Sequence, residues 1–185
     1  MVSIKSKLTL QEFLNLPVGD VNYELVNGYA LSKVSPKYFH STLQSALLLL
    51  IHSWCKGKGR TVSEWAIILK RQGEDWVPVP DLTYISYQSL PKGWKRNEAC
   101  PIVPELVIEI ISPGQTFKQF VEKTKDYFKA GISRVWVVDP EAITIEVFSE
   151  DGSSQIYTDT MPITDSLLPG VELTVKEVFE EAGLI

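Results

Sequence analysis

The chain has 185 residues, 44% of them hydrophobic and 22% charged, with a formal net charge of −5. This is the usage of a globular protein of about one domain, and it excludes intrinsic disorder over most of the length. The longest apolar run, residues 46–51, is far too short to cross a bilayer, so no membrane association is expected.

Lys5 and Lys7 are followed by Gln11, Glu12 and Asn15 with no apolar stretch, so no signal peptide is expected. Cys55 and Cys100 are the only cysteines. Two thiols without CxxC or a Cys/His cluster point to a reduced, cytoplasmic protein with no zinc site. The charge is unevenly placed. Residues 1–136 hold 17 basic and 12 acidic side chains, and residues 137–185 hold 1 basic and 11 acidic. The first part could meet a polyanion. The second would be repelled by one, and reads as a solvated acidic face or a protein-interaction face.

With no repeats and no long Pro/Gly/Ser linker, residues 1–185 are read as a single domain. Residues 8–16 form a short helix, with Thr9 and Glu12 at capping-box spacing and Pro17 beyond its end. Residues 23–34 form a hairpin around Asn27-Gly28, a dipeptide that tolerates the positive φ of a two-residue turn. Ser35-Pro36 opens a helix whose residues 43–54 are apolar nearly all round and therefore buried, with Gly57 and Gly59 beyond it. Strands are expected over 60–70 and 76–86, joined by Gln72-Gly73-Glu74-Asp75, and residues 90–104 are irregular. A strand over 105–111 is broken by Ser112-Pro113-Gly114. An amphipathic helix over 115–130 follows, with Phe117, Phe120, Val121, Thr124 and Phe128 on one face and Gly131 at its end. Strands over 134–138, 143–148, 154–158 and around Val171 precede a terminal helix near 176–182. The strand–helix–strand passage 105–138 has the length of a βαβ unit. The class is α/β (α+β) with a mixed sheet flanked by helices.

GxGxxG, GxxxxGK[ST], HExxH and GxSxG are all absent. Only His40 and His52 are present, so a His-rich metal site is impossible. His52 is expected in the core or at its boundary, and His40 at an accessible first helical turn. The carboxylates are more informative. Glu109 lies inside Leu106-Val107-Ile108-Glu109-Ile110-Ile111, where an unpaired charge is costly to bury. A basic side chain, a metal ion or a strand end must balance it. Asp81 heads a second strand-like run. Two carboxylates converging from neighbouring strands would suit Mg²⁺ or Mn²⁺, hard ions that take oxygen ligands.

The order of Val79-Pro80-Asp81, Pro104-Glu105-Leu106-Val107-Ile108-Glu109-Ile110-Ile111-Ser112-Pro113, Glu122-Lys123 with Tyr127 and Ala130-Gly131, and Val135-Trp136-Val137-Val138-Asp139-Pro140 resembles the Uma-two family. These are restriction-endonuclease-like proteins of the PD-(D/E)XK nuclease superfamily. Tyr23-Glu24-Leu25-Val26-Asn27-Gly28 fits the family's opening motif, and His40 fits a family position. The resemblance implies a restriction-endonuclease-like core, with Asp81, Glu109 and the backbone carbonyl of Ile110 holding Mg²⁺ (Mn²⁺ as a substitute), and Glu24 as a third acid. The superfamily's lysine stands two residues after the second acid, where this chain has Ile111. Lys123 is the replacement, with Tyr127 one turn later and His40 as auxiliaries.

The leading expectation is a metal-dependent endonuclease that hydrolyses DNA with a metal-activated water, acting as a homodimer. Lys92, Lys95 and Arg96, interleaved with Trp94, either contact the phosphate backbone or form a solvated loop. The alternative is a catalytically inactive nuclease-fold module binding nucleic acid or a protein partner. A hydrolase of small phosphate esters is a third reading.

Overall fold

The computed structural model describes residues 6–17 and 21–185. Its centre is one six-stranded sheet in the order β10-β9-β8-β7-β6-β3. The strands are β3 (Gly59–Ser63), β6 (Leu82–Ser86), β7 (Leu106–Ile110), β8 (Arg134–Asp139), β9 (Thr144–Ser149) and β10 (Ser154–Thr158). Only β7 and β8 pair in parallel; the other neighbours are antiparallel. Helix α3 (Phe117–Lys129) makes the crossover between that parallel pair, which is the βαβ unit expected for 105–138.

The strand β7 is buried on both faces, and its alternation decides what each face meets. Leu106, Ile108 and Ile110 pack with Leu43, Leu47 and Ile51 of α2 (Tyr38–Cys55) and with Val178 and Phe179 of α4 (Val175–Glu181). Val107 and Ile111 pack on the other side with Phe120 and Tyr127 of α3. Glu109 falls between those two positions, so period-two alternation turns it toward α3.

A smaller unit sits at one end of the sheet. The capping box Thr9–Glu12 starts α1 (Leu10–Leu14), as the spacing predicts. The hairpin β1 (Tyr23–Val26) and β2 (Tyr29–Ser32) turns at Asn27 and Gly28, both at positive φ. Leu25 exchanges two backbone hydrogen bonds with Val77, at 3.1 and 3.0 Å, and Phe13, Leu25, Ala30 and Val77 form their own buried cluster. The remaining short pairs are β4 (Leu69–Arg71) with β5 (Glu74–Trp76), and β11 (Pro162–Ile163) with β12 (Leu173–Thr174).

Several expectations are corrected. The strands over 60–70 and 76–86 are each interrupted. Glu64 turns the chain at φ 52°, and Pro78 and Pro80 lack the N–H that a continuous ladder needs. The second helix starts at Tyr38, two residues after Pro36. It is buried on one face only: Leu49 is 54% exposed. The two histidines exchange places, since His40 is buried and His52 is exposed. The inner face of α3 is rotated from the expected one. Phe117 is 37% exposed, whereas Tyr127 is fully buried.

Candidate active site

Asp81 immediately precedes β6, and Glu109 lies near the end of the antiparallel β7, where Leu82 is opposite Ile108. This register brings both acids to the same end of the sheet. Asp81 is 2% exposed and Glu109 4%. They line a cleft of about 510 Å³ together with Glu24, Lys33, His40, Glu64, Ile110 and Lys123.

Both Asp81 oxygens are in use. Oδ2 accepts from the Ile110 N–H at 2.7 Å and lies 3.1 Å from His40 Nε2. Oδ1 accepts from Lys33 Nζ at 3.1 Å. Burial by itself would raise this carboxyl, but the His40 hydrogen bond, the Lys33 ammonium and the Ile110 N–H outweigh it. Asp81 is therefore held below the ordinary aspartate range.

Glu109 has the opposite balance. Its Oε1 accepts from the Tyr127 hydroxyl at 2.5 Å and pairs with Lys123 Nζ at 2.9 Å. Burial outweighs the Lys123 charge, with Asp81 and Glu24 adding repulsion, so Glu109 is raised above the ordinary glutamate range. Burial also pushes the Tyr127 phenol well up, reinforced by the Glu109 and Glu24 carboxylates, which keeps it a hydrogen-bond donor. Burial opposes the charge on Lys33 and Lys123, yet neighbouring carboxylates raise both above the ordinary lysine value.

Lys123 reaches the site because Phe120, Lys123 and Tyr127 share one helical face at i, i+3 and i+7. Its Nζ also donates to Glu24 Oε1 at 3.0 Å, and the same oxygen accepts from the Val79 N–H at 3.0 Å. The hairpin's attachment at Val77 is what carries Glu24 to this position. Thus Glu24, His40, Asp81, Glu109, Ile110, Lys123 and Tyr127 converge. The basic loop does not join them. Arg60 is opposite Ile85 in β6, and its guanidinium donates to the carbonyls of Leu90, Pro91 and Trp94. Trp94 lies 5.6 Å from Trp65 with the rings tilted at 45°, Lys92 and Lys95 are solvent-exposed, and Arg96 pairs with Glu98 at 3.9 Å.

Three residues escaped the sequence reading. Lys33 donates to Asp81, to both Glu64 oxygens at 3.1 Å and to the Val79 carbonyl at 2.8 Å. Gln44 donates to Glu64 Oε1 at 3.2 Å and to the Asp81 carbonyl at 3.0 Å. Lys33 had a signal. A two-residue Asn27-Gly28 turn sets Leu31 opposite Glu24 and therefore puts Lys33 on the Glu24 face. Glu64 had none, because only its left-handed backbone turns it inward.

Four carboxylates (Glu24, Glu64, Asp81, Glu109) face two ammonium groups, a surplus of negative charge when all are ionised. Apart from His40 the cleft's candidate ligand atoms are oxygens, the type a Mg²⁺-type ion takes through one or two carboxylates, with water and substrate phosphate completing its shell. Among the described residues no three acidic, histidine or cysteine side chains are grouped as a ready-made metal cluster.

Residues 10–176 match the sequence pattern of the Uma2 family, described as "Putative restriction endonuclease". The chain belongs to the Uma2 family. The crystal structure of "a putative nuclease belonging to DUF820" from Anabaena variabilis superposes on this Uma2 chain with a TM-score of 0.80 at 24% identity. The match covers 95% of this chain and 99% of that one. This likeness shows the restriction-endonuclease-like fold expected of a Uma2 protein. No curated protein matches this sequence.

Proposed function

We propose that this protein is a divalent-metal-dependent endonuclease that hydrolyses DNA phosphodiester bonds, with its catalytic lysine relocated from the strand to helix α3. The observation that carries this reading is the position of Lys123 Nζ, 2.9 Å from Glu109 and 3.0 Å from Glu24, in the cleft that also holds Asp81. An ion at Asp81, Glu109 and the Ile110 carbonyl, Mg²⁺ or Mn²⁺, would lower the pKa of a bound water and polarise the scissile phosphate.

The chain's own groups have separable tasks. His40 and the Ile110 N–H orient Asp81, and Tyr127 holds Glu109. Lys123 supplies fixed positive charge beside the attacked phosphate and a donor for the incoming water. Lys33 supplies a second positive charge on the Asp81 side. In-line attack would leave a 5′-phosphate and a 3′-hydroxyl. Two copies would place one site on each strand, which makes a homodimer the working assembly. No helix among the described residues is long and apolar enough to cross a membrane; on its two buried free cysteines we place the protein in the cytoplasm.

One observation favours a second reading, a nuclease-fold module without catalysis: each central acid already carries a lysine as counter-ion. The test is incubation with supercoiled, linear and single-stranded DNA in Mg²⁺, Mn²⁺ or EDTA, alongside Asp81→Asn and Glu109→Gln. Cleavage that needs the metal and disappears in both variants is expected. Absence of cleavage together with absence of Mn²⁺ binding by calorimetry transfers the assignment to the non-catalytic module.

A further inference from the structure

We propose that a second cavity beside the acid cleft receives one unpaired nucleobase next to the phosphate under attack, so that the preferred substrate is single-stranded or frayed DNA. This deepens the nuclease reading and rests on it. The cavity has a volume of about 570 Å³, within the ordinary range for a small-ligand site. Three aromatic side chains line it from two helix starts: Tyr38 at 66% exposure, Phe39 at 54% and Phe117 at 37%. Tyr38 and Phe39 lie 6.1 Å apart and tilted, so they present differently inclined faces. Exposed aromatic rings gathered around one cavity are unusual for a globular surface and mark a binding site.

Position and charge identify the occupant. His40, Ser112 and Gln115 line both this cavity and the acid cleft, so the two lie side by side. His40 stands between them. Its Nε2 faces Asp81, while its buried Nδ1 has no hydrogen-bond partner. The wall also carries Asp139 and Glu141. Asp139 Oδ1 already accepts from the Glu141 and Ala142 N–H groups, but the Glu141 carboxylate and Asp139 Oδ2 would repel a phosphate and accept hydrogen bonds from the exocyclic amines of adenine, cytosine or guanine. Aromatic rings with carboxylate acceptors therefore fit a base, while Lys37 offers a cation for its backbone. A paired base in a duplex has no free face to offer such rings; an unstacked base does.

The test is binding, read by fluorescence anisotropy in EDTA and in Ca²⁺, of a labelled single-stranded oligonucleotide and of the blunt duplex of the same length. Wild-type protein is compared with Tyr38→Ala, Phe39→Ala, Phe117→Ala and the conservative Phe39→Tyr. Ile156→Ala, an exposed apolar side chain on β10, serves as the control. The single strand should bind more tightly than the duplex. Each ring removal should weaken the single strand by about fivefold to a hundredfold while leaving duplex binding unchanged. Phe39→Tyr and Ile156→Ala should bind as wild type. Single-strand binding that all three ring removals leave intact overturns the base pocket and leaves the nuclease reading standing. No binding of either DNA overturns both. Loss of self-association in sedimentation, with DNA affinity unchanged, overturns the pocket and makes this face a contact between copies.

Discussion

Lys123 and Glu109 carry the sharpest expectations for single side chains. Lys123→Ala leaves Glu109 buried with only the Tyr127 hydroxyl as partner. Metal-dependent cleavage should fall by about 10²–10³-fold, the usual loss when one donor to a developing oxyanion is removed, as measured by initial rates on plasmid DNA. Lys33→Ala tests the residue that sequence reading missed, and should reduce the rate while leaving Glu109 paired. The two acids give opposite pH signatures. Asp81 lies below its unfolded value, so its contribution to stability is present above about pH 3.9 and is lost as pH falls through its folded pKa. Glu109 lies above its unfolded value, so folding is penalised as pH rises from about 4.3 toward its folded pKa. Melting curves of Glu109→Gln should therefore gain on wild type as pH rises through that window. Those of Asp81→Asn should lose on wild type as pH rises from strongly acid conditions through the Asp81 window.

Strand β3 approaches its neighbour so closely that Gly59 has no room for a side chain. A Cβ there would lie 2.5 Å from the Ile85 carbonyl oxygen and 2.6 Å from the Tyr84 ring. Gly59→Ala should cost about 1–3 kcal/mol, read from denaturant midpoints. Where local chemistry decides an element, the sequence was legible. The Thr9–Glu12 box, the Asn27-Gly28 turn, the Ser112-Pro113-Gly114 break and the parallel β7–α3–β8 unit all stand where their residues place them. Where tertiary contact decides, it was not. Nothing in Tyr23–Val26 states that Leu25 will bridge Val77, and that bridge is what carries Glu24 to Val79. The inner face of α3 departs from the hydrophobic pattern for a related reason. Hydrophobicity favoured Phe117, whereas the buried Glu109 selects the side that bears Lys123 and Tyr127. The burial of His40 is not legible in its neighbours because its contact with Asp81, rather than an apolar pattern, buries the imidazole.

For the assembled protein, charge and symmetry set what should be measured. DNA binding should rest on residues 1–136 and weaken steeply as salt rises, since phosphate contacts release counterions. The acidic residues beyond Glu141 should face away from the substrate. Sedimentation equilibrium should give twice the 20.8 kDa chain mass if two sites act together. The hairpin β1–β2 has a different consequence. It brings Glu24 and Lys33 to the acids, yet among the described residues its backbone joins the segment before Asp81 only through the Leu25–Val77 pair, the side chains of Glu24 and Lys33 adding their bonds to Val79. Its buried cluster is small and separate from the two that sandwich the sheet. Such a unit can open without melting the rest. Warming should therefore inactivate the protein reversibly below its main calorimetric transition. In hydrogen–deuterium exchange, the amides of Leu25 and Val77 should exchange well before those of Val107 and Ile108, so that the heat tolerance of the activity is set by a latch rather than by the sheet.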